Sequence, residues 1–109
     1  MSFRENINIE RWYKFCFNEQ IGHIGSEIGR AKVWENRKDF KERNNSLERA
    51  LELIEITEED PRHFDRQKEL SFLRENLMKK LNNVNECSVS LSELDQYCLE
   101  FALITAQNK

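Results

Sequence analysis

The chain carries very little that breaks a helix. Across 109 residues there is one proline, Pro61, and the three glycines, Gly22, Gly25 and Gly29, fall close together. Folds built from many short strands need Gly- and Pro-rich turns at regular intervals. Their scarcity excludes most such folds, together with collagen and flexible Gly/Ser linkers. Apolar residues at helical period fill the chain instead. Phe17, Ile21, Ile24, Ile28 and Ala31 step by four, three, four and three, which lines one face of a helix.

Four helices are expected. The first runs from Ile9 to Arg37, an unbroken rod of about 40 Å at ~1.5 Å per residue. Asn36 to Asp39 form the turn after it. The second runs from Asp39 to Thr57, because Asp39 followed by Glu42 pairs an oxygen cap with a carboxylate three residues later. Leu47, Leu51 and Ile54 form its inner stripe, with Ala50 beside them, widened by Leu53 and Ile56. Pro61 lacks an N–H donor and disfavours helix at Asp60, so this helix ends before it. The third helix runs from Arg62 to Asn82, with Pro61 suited to its first turn. Leu70, Leu73, Leu77 and Leu81 line it, and Val84 extends the stripe. The fourth starts near Ser90, where Ser90 and Glu93 match a capping box. Leu91, Leu94, Cys98 and Phe101 follow at spacings of three, four and three.

Short connections between long helices favour antiparallel neighbours. The expected fold is therefore all-α, an up-down antiparallel bundle of about four helices with a long first helix. It forms one domain over residues 1–109, with residues 1–8 as an N-terminal arm or an extra short helix. No run of ~18 apolar residues exists for a membrane span, and the first residues lack the apolar segment of a signal peptide. Cys16, Cys87 and Cys98 are an odd, widely spaced set, which is not a disulfide framework. Cys16 and Cys98 read as small buried hydrophobes, and the expected compartment is a reducing cytoplasm. Net charge is −3, against the strongly basic balance of a dedicated nucleic-acid binder.

Several residue sets could carry function. Gly22, Gly25 and Gly29 share one face of the first helix. Each costs ~1 kcal/mol against alanine there, and close approach of another helix would compensate. Glu19, His23, Glu27 and Arg30 form a polar row at spacings of four, four and three. Glu19, His23 and Glu27 are the set that could ligate a divalent metal. A di-metal bundle, however, needs Glu-x-x-His units, and neither His23 nor His63 has a Glu three residues before it. Glu52 and Glu55 resemble the first half of the E-x-x-E and E-x-x-D magnesium motifs of helical nucleotide pyrophosphohydrolases, but the second half is missing. Arg37, Lys38, Lys41 and Arg43 form a basic tip able to grip phosphates without sequence readout. No serine-nucleophile, zinc-protease or Arg-x4-6-His ribonuclease pattern is present. Trp12, Tyr13, Phe15, Cys16 and Phe17 would surround a continuous helix. Tyr13 and Phe17 can enter the core. Trp12 and Phe15 must then meet the arm, with Phe3 and Ile7, or a second subunit.

Ile24 to Ala31, Ser46 to Ile54, Asp60-Pro61-Arg62, and Lys68-Glu69-Leu70 with Leu73-Arg74-Glu75 together resemble a group of small uncharacterised bacterial helical proteins. Their pattern is E-I-x-R-A, L-E-R-A-L-E-L-I, D-P and K-E-L-x-x-L-R-E, and the resemblance spans residues 19–78. The chain departs from it by placing Gly29 between Ile28 and Arg30. The resemblance implies an all-helical fold and brings no activity with it.

The expected function is a non-enzymatic cytoplasmic helical interaction module that self-associates or binds a helical protein partner. No cofactor, membrane or nucleic-acid partner is expected. The alternatives are a divalent-metal-dependent enzyme of nuclease or nucleotide-hydrolase type and an RNA-associated bundle.

Overall fold

A computed structural model describes residues 7–83 and 89–107, with side chains as far as Leu103 in the last helix. Phe3 of the expected arm, Val84 and Cys87 lie outside the described residues. The elements are α1 (Ile9–Tyr13), α2 (Phe17–Asn36), α3 (Phe40–Glu58), a 3-10 helix (Pro61–Arg66), α4 (Gln67–Leu81) and α5 (Leu91–Gln107). No strand occurs among the described residues.

The expected long first helix is corrected to two pieces. Asn8 caps α1, its Oδ1 accepting from the Arg11 N–H at 3.0 Å. After Tyr13 the chain leaves the helix, and Cys16 is extended at φ −73° and ψ 167°. Glu19 Oε1 then accepts from the Cys16 N–H at 3.1 Å, satisfying a donor that flanks the new helix start. The break has a packing cause. A continuous helix would spread its aromatic cluster around the axis, whereas the break turns Trp12 and Phe17 inward, 6% and 8% exposed.

Between α2 and α3 the chain turns through Lys38, at φ 61°. The Lys38 N–H donates to the Glu35 carbonyl at 3.0 Å and the Asp39 N–H to the Trp34 carbonyl at 2.9 Å. This pair of bonds closes the last turn of a helix around a left-handed residue. Asp39 at once caps the next helix, accepting from the Glu42 N–H at 3.2 Å. Within α3, Leu53 and Ile56 are buried while Leu51 is half-buried, so the stripe sits slightly off the expected line.

The third expected helix begins later than its sequence suggests. Asp60 Oδ1 accepts from the Arg62 N–H at 3.0 Å, and Pro61 starts a 3-10 helix. His63 is non-helical at φ −106° and ψ 26°, so the α-helix starts only at Gln67. Before α5, Ser90 Oγ accepts from the Glu93 N–H at 3.2 Å.

Helix α2 packs on both α3 and α5, and α4 packs on α3. Partners along α2 and α3 run in opposite directions, Glu35 meeting Arg43 and Glu27 meeting Arg49. The same holds for α5, where Gly22, Gly25 and Gly29 stand opposite Ala102, Cys98 and Asp95. Ile21, Ile24, Ile28, Leu47, Ile54, Leu70, Leu73, Leu77 and Leu94 are fully buried between the helices. The Phe72 and Tyr97 rings, 5.0 Å apart, join α4 to α5.

Candidate functional site

The α1–α2 break creates a buried polar junction. The Trp12 indole N–H donates to Thr57 Oγ1 at 3.1 Å, and that hydroxyl donates to the Leu53 carbonyl at 2.7 Å. Gln20 Nε2 donates to the Trp12 carbonyl at 3.0 Å, which turns its Oε1 toward His63. That oxygen lies 2.7 Å from His63 Nε2. The network therefore assigns the proton of a neutral imidazole to Nε2. Asp60 Oδ2 is 3.5 Å from the same nitrogen, and Arg62 holds the Asp60 carboxylate at 2.6 Å. Burial pushes the His63 pKa down. The Arg62 hydrogen bond holds Asp60 below the usual carboxylate range.

Both shifts favour folding at neutral pH. A depressed His63 contributes stability present above about pH 6.5, and that contribution is lost as pH falls through its folded value. Asp60 acts in the same direction only below its ordinary range. His63→Gln is expected to flatten the decline in stability between about pH 7 and about pH 5. Denaturant unfolding across that interval checks this; parallel parent and variant curves would contradict it.

Trp12 is corrected from an interface residue to a core residue. Phe15 is half-buried, its ring 4.6 Å from His23 and 6.0 Å from Trp12. Beside them lies an open hollow of about 470 Å³, lined in part by Arg11, Trp12, Phe15, His23, Glu27 and Arg30. Of the metal candidates, His23 and Glu27 line it and Glu19 does not, and each of the three has another partner. Glu19 caps Cys16, His23 lies against Phe15, and Glu27 is claimed by two guanidinium groups. Arg30 bonds one Glu27 oxygen, and Arg49 Nε donates to the other at 2.9 Å. Among the described residues, no three His, Cys, Asp or Glu side chains are grouped to hold a metal ion.

The basic tip is thinner than its charge count. Arg43 is buried, bonded to Glu35 at 3.0 Å and to Asn44, with its guanidinium over the Phe40 ring. That pairing removes it from the candidate phosphate-binding set. Arg37 lies over Trp34, and Arg37, Lys38 and Lys41 are exposed. Cys16 is exposed, a correction to its expected burial, while Cys98 is buried. Burial pushes the Cys98 thiol up to about 12, so it stays protonated.

The glycines form the α2 side of the α2–α5 seam. A Cβ on Gly25 would sit 2.5 Å from Cys98 Cβ, and one on Gly22 3.4 Å from Ala102 Cβ. On the solvent side of this seam the surface is partly apolar. Val33, Leu99 and Leu103 are each almost half exposed. A hollow of about 460 Å³ runs along α2, lined by Ser26, Gly29, Arg30, Val33 and Trp34. It shares Ser26 and Arg30 with the hollow near Trp12, so the two hollows adjoin on α2.

The sequence reading missed Gln20, Thr57, Asp60 and His63 as a unit. The available signals were local: an Asp directly before Pro61, and a Glu three residues after Cys16. No protein-family model, curated protein or solved structure matches the chain. No described helix is long and apolar enough to cross a membrane.

Proposed function

We propose that this chain is a non-enzymatic, cytoplasmic helical interaction module. Its four long helices form an up-down antiparallel bundle, and it docks a helical protein partner on the outer face of α2. One observation carries the reading: two adjoining hollows on α2, lined between them by residues from His23 to Trp34, with Val33 exposed in the second. An amphipathic helix laid across such hollows anchors apolar residues one turn apart. The polar side chains that suggested chemistry support the same reading, since Glu19, Glu27 and Arg43 are each engaged in capping or ion pairing.

A photo-crosslinking residue at Val33, compared with one at exposed Glu75 on α4, tests this in the native host. A discrete protein adduct from Val33 and none from Glu75 is the expected result. No adduct from Val33, or the same adducts from both positions, would overturn it.

A further inference from the structure

We propose that the hollow beside Trp12 binds a small aromatic carboxylate. The α1–α2 break builds this hollow. In one continuous helix Trp12 and His23 would stand about 16 Å apart along the axis, yet their ring centroids lie 5.8 Å apart. Phe15 completes the group, 4.6 Å from His23 and 6.0 Å from Trp12. The three ring planes are inclined to one another by 50° to 77°. They form a corner rather than a stack. A flat ring entering that corner meets ring faces and ring edges together, the offset and edge-to-face contacts that aromatic groups favour. The volume, about 470 Å³, falls within the roughly 300–1,000 Å³ of small-molecule sites.

Charge selects the class of ligand. Among the described residues that line the hollow, Glu27 is the one acidic group. It is 7% exposed, and Arg30 and Arg49 each bond one of its oxygens. Two guanidinium groups on one carboxylate leave a positive excess. Arg11 adds to it, since it lines the hollow, is exposed and has no ion pair among the described residues. Glu10 stands about 100° from Arg11 around α1, away from the lining. The neutral polar groups are engaged locally. Asn8 Oδ1 accepts from the Arg11 N–H at 3.0 Å, and the Ser26 hydroxyl donates to the Gly22 carbonyl at 3.3 Å.

The result is a positive, ring-lined hollow on a chain whose net charge is −3. A guanidinium offers paired N–H donors in a plane that matches a carboxylate. One unpaired guanidinium, Arg11, balances one negative charge, which favours a monocarboxylate over a nucleoside polyphosphate. This site goes beyond the docking of a partner helix and does not rest on it. Val33 adducts in the host report the partner, and titration of the purified chain reports the ligand, so either can fail alone.

β-Naphthoate titrated into the isotope-labelled full chain, followed by NMR, tests the proposal. The chain has two tryptophans, and Trp34→Phe assigns their indole signals. The Trp12 signal is expected to shift and the Trp34 signal to stay, with Kd about 1 mM or tighter, the strength open to a ligand of this size. β-Naphthamide has the same rings without the charge. It is expected to bind about 5-fold or more weakly than β-naphthoate, the scale of a partly exposed charge-assisted contact. Arg11→Gln should weaken β-naphthoate by a similar factor, while Lys68→Gln, at an exposed position on α4, leaves it unchanged. Circular dichroism verifies folding of each variant. The amide comparison uses the parent chain, so it decides the matter even where Arg11→Gln disturbs α1. No Trp12 shift up to about 10 mM β-naphthoate overturns the proposal, as does equal binding of the amide. A folded Arg11→Gln that binds like the parent also overturns it. Adenosine monophosphate binding more tightly than β-naphthoate rejects the carboxylate in favour of a phosphate.

Discussion

Trp12→Ala is expected to lower folding stability by about 3–5 kcal/mol, the cost of removing a buried aromatic side chain from a core. For a domain whose whole stability is about 5–15 kcal/mol, that removes between roughly a fifth and all of it. The side chain is 6% exposed and its indole N–H bonds Thr57, so the loss falls on the junction of α1, α2 and the end of α3. Trp12→Glu is worse, because it buries an unpaired carboxylate. Denaturant unfolding followed by circular dichroism at two protein concentrations separates this from an interface effect. The expected result is a lowered midpoint at both concentrations. A variant that keeps the parent midpoint and changes only its assembly mass would put Trp12 back at an interface.

The second large effect lies at the glycine seam, where neighbouring glycines are expected to respond with opposite sign. Gly25→Leu should cost ~3 kcal/mol or more, above the usual range for overpacking. Even a Cβ at Gly25 meets Cys98 Cβ at 2.5 Å, an atom fixed to the α5 backbone, so the helices must part. At Gly29 the nearest atom to an added Cβ is Asp95 Oδ1, at 3.6 Å, an ordinary contact. Gly29→Ala should therefore raise stability by ~0.5–1 kcal/mol through helix propensity alone. A shift of ~1 kcal/mol moves Tm by roughly 4–8 °C in a domain of this size, which calorimetry resolves. Equal shifts at both positions would contradict the close approach of α2 and α5.

The seam also marks what the sequence makes legible. Three glycines at spacings of three and four in an otherwise helical stretch already imply a close neighbour. Their partner is α5, more than 60 residues away, which no local pattern contains. Caps with an oxygen three residues before a carboxylate, Asp39–Glu42 and Ser90–Glu93, are readable because the side chain bonds a backbone N–H of its own turn. The α1–α2 break was hidden because its cap position is a cysteine and no Gly or Pro marks it. Its aromatic residues continue a helical spacing that tertiary packing overrides. The 3-10 helix was hidden for a related reason, since Pro61 fits the first turn of either helix type.

The site was less legible than the fold. A row such as Glu19, His23 and Glu27 records which side chains share a helix face. It does not record that Arg49, from the next helix, reaches Glu27. Likewise a run of basic residues reads as a charged tip until Arg43 turns inward to Glu35. The His63–Gln20 contact joins residues 43 apart, and only the packed chain brings them together.

The most direct test of a docking face that is distinct from the core is the Val33 adduct yield in the Leu99→Glu background. Leu99 is 48% exposed, so its replacement should change stability by no more than ~0.5 kcal/mol. The adduct should fall to the level seen from Glu75 while the unfolding midpoint holds. An undiminished Val33 adduct from that folded variant would contradict a docking face shared by α2 and α5.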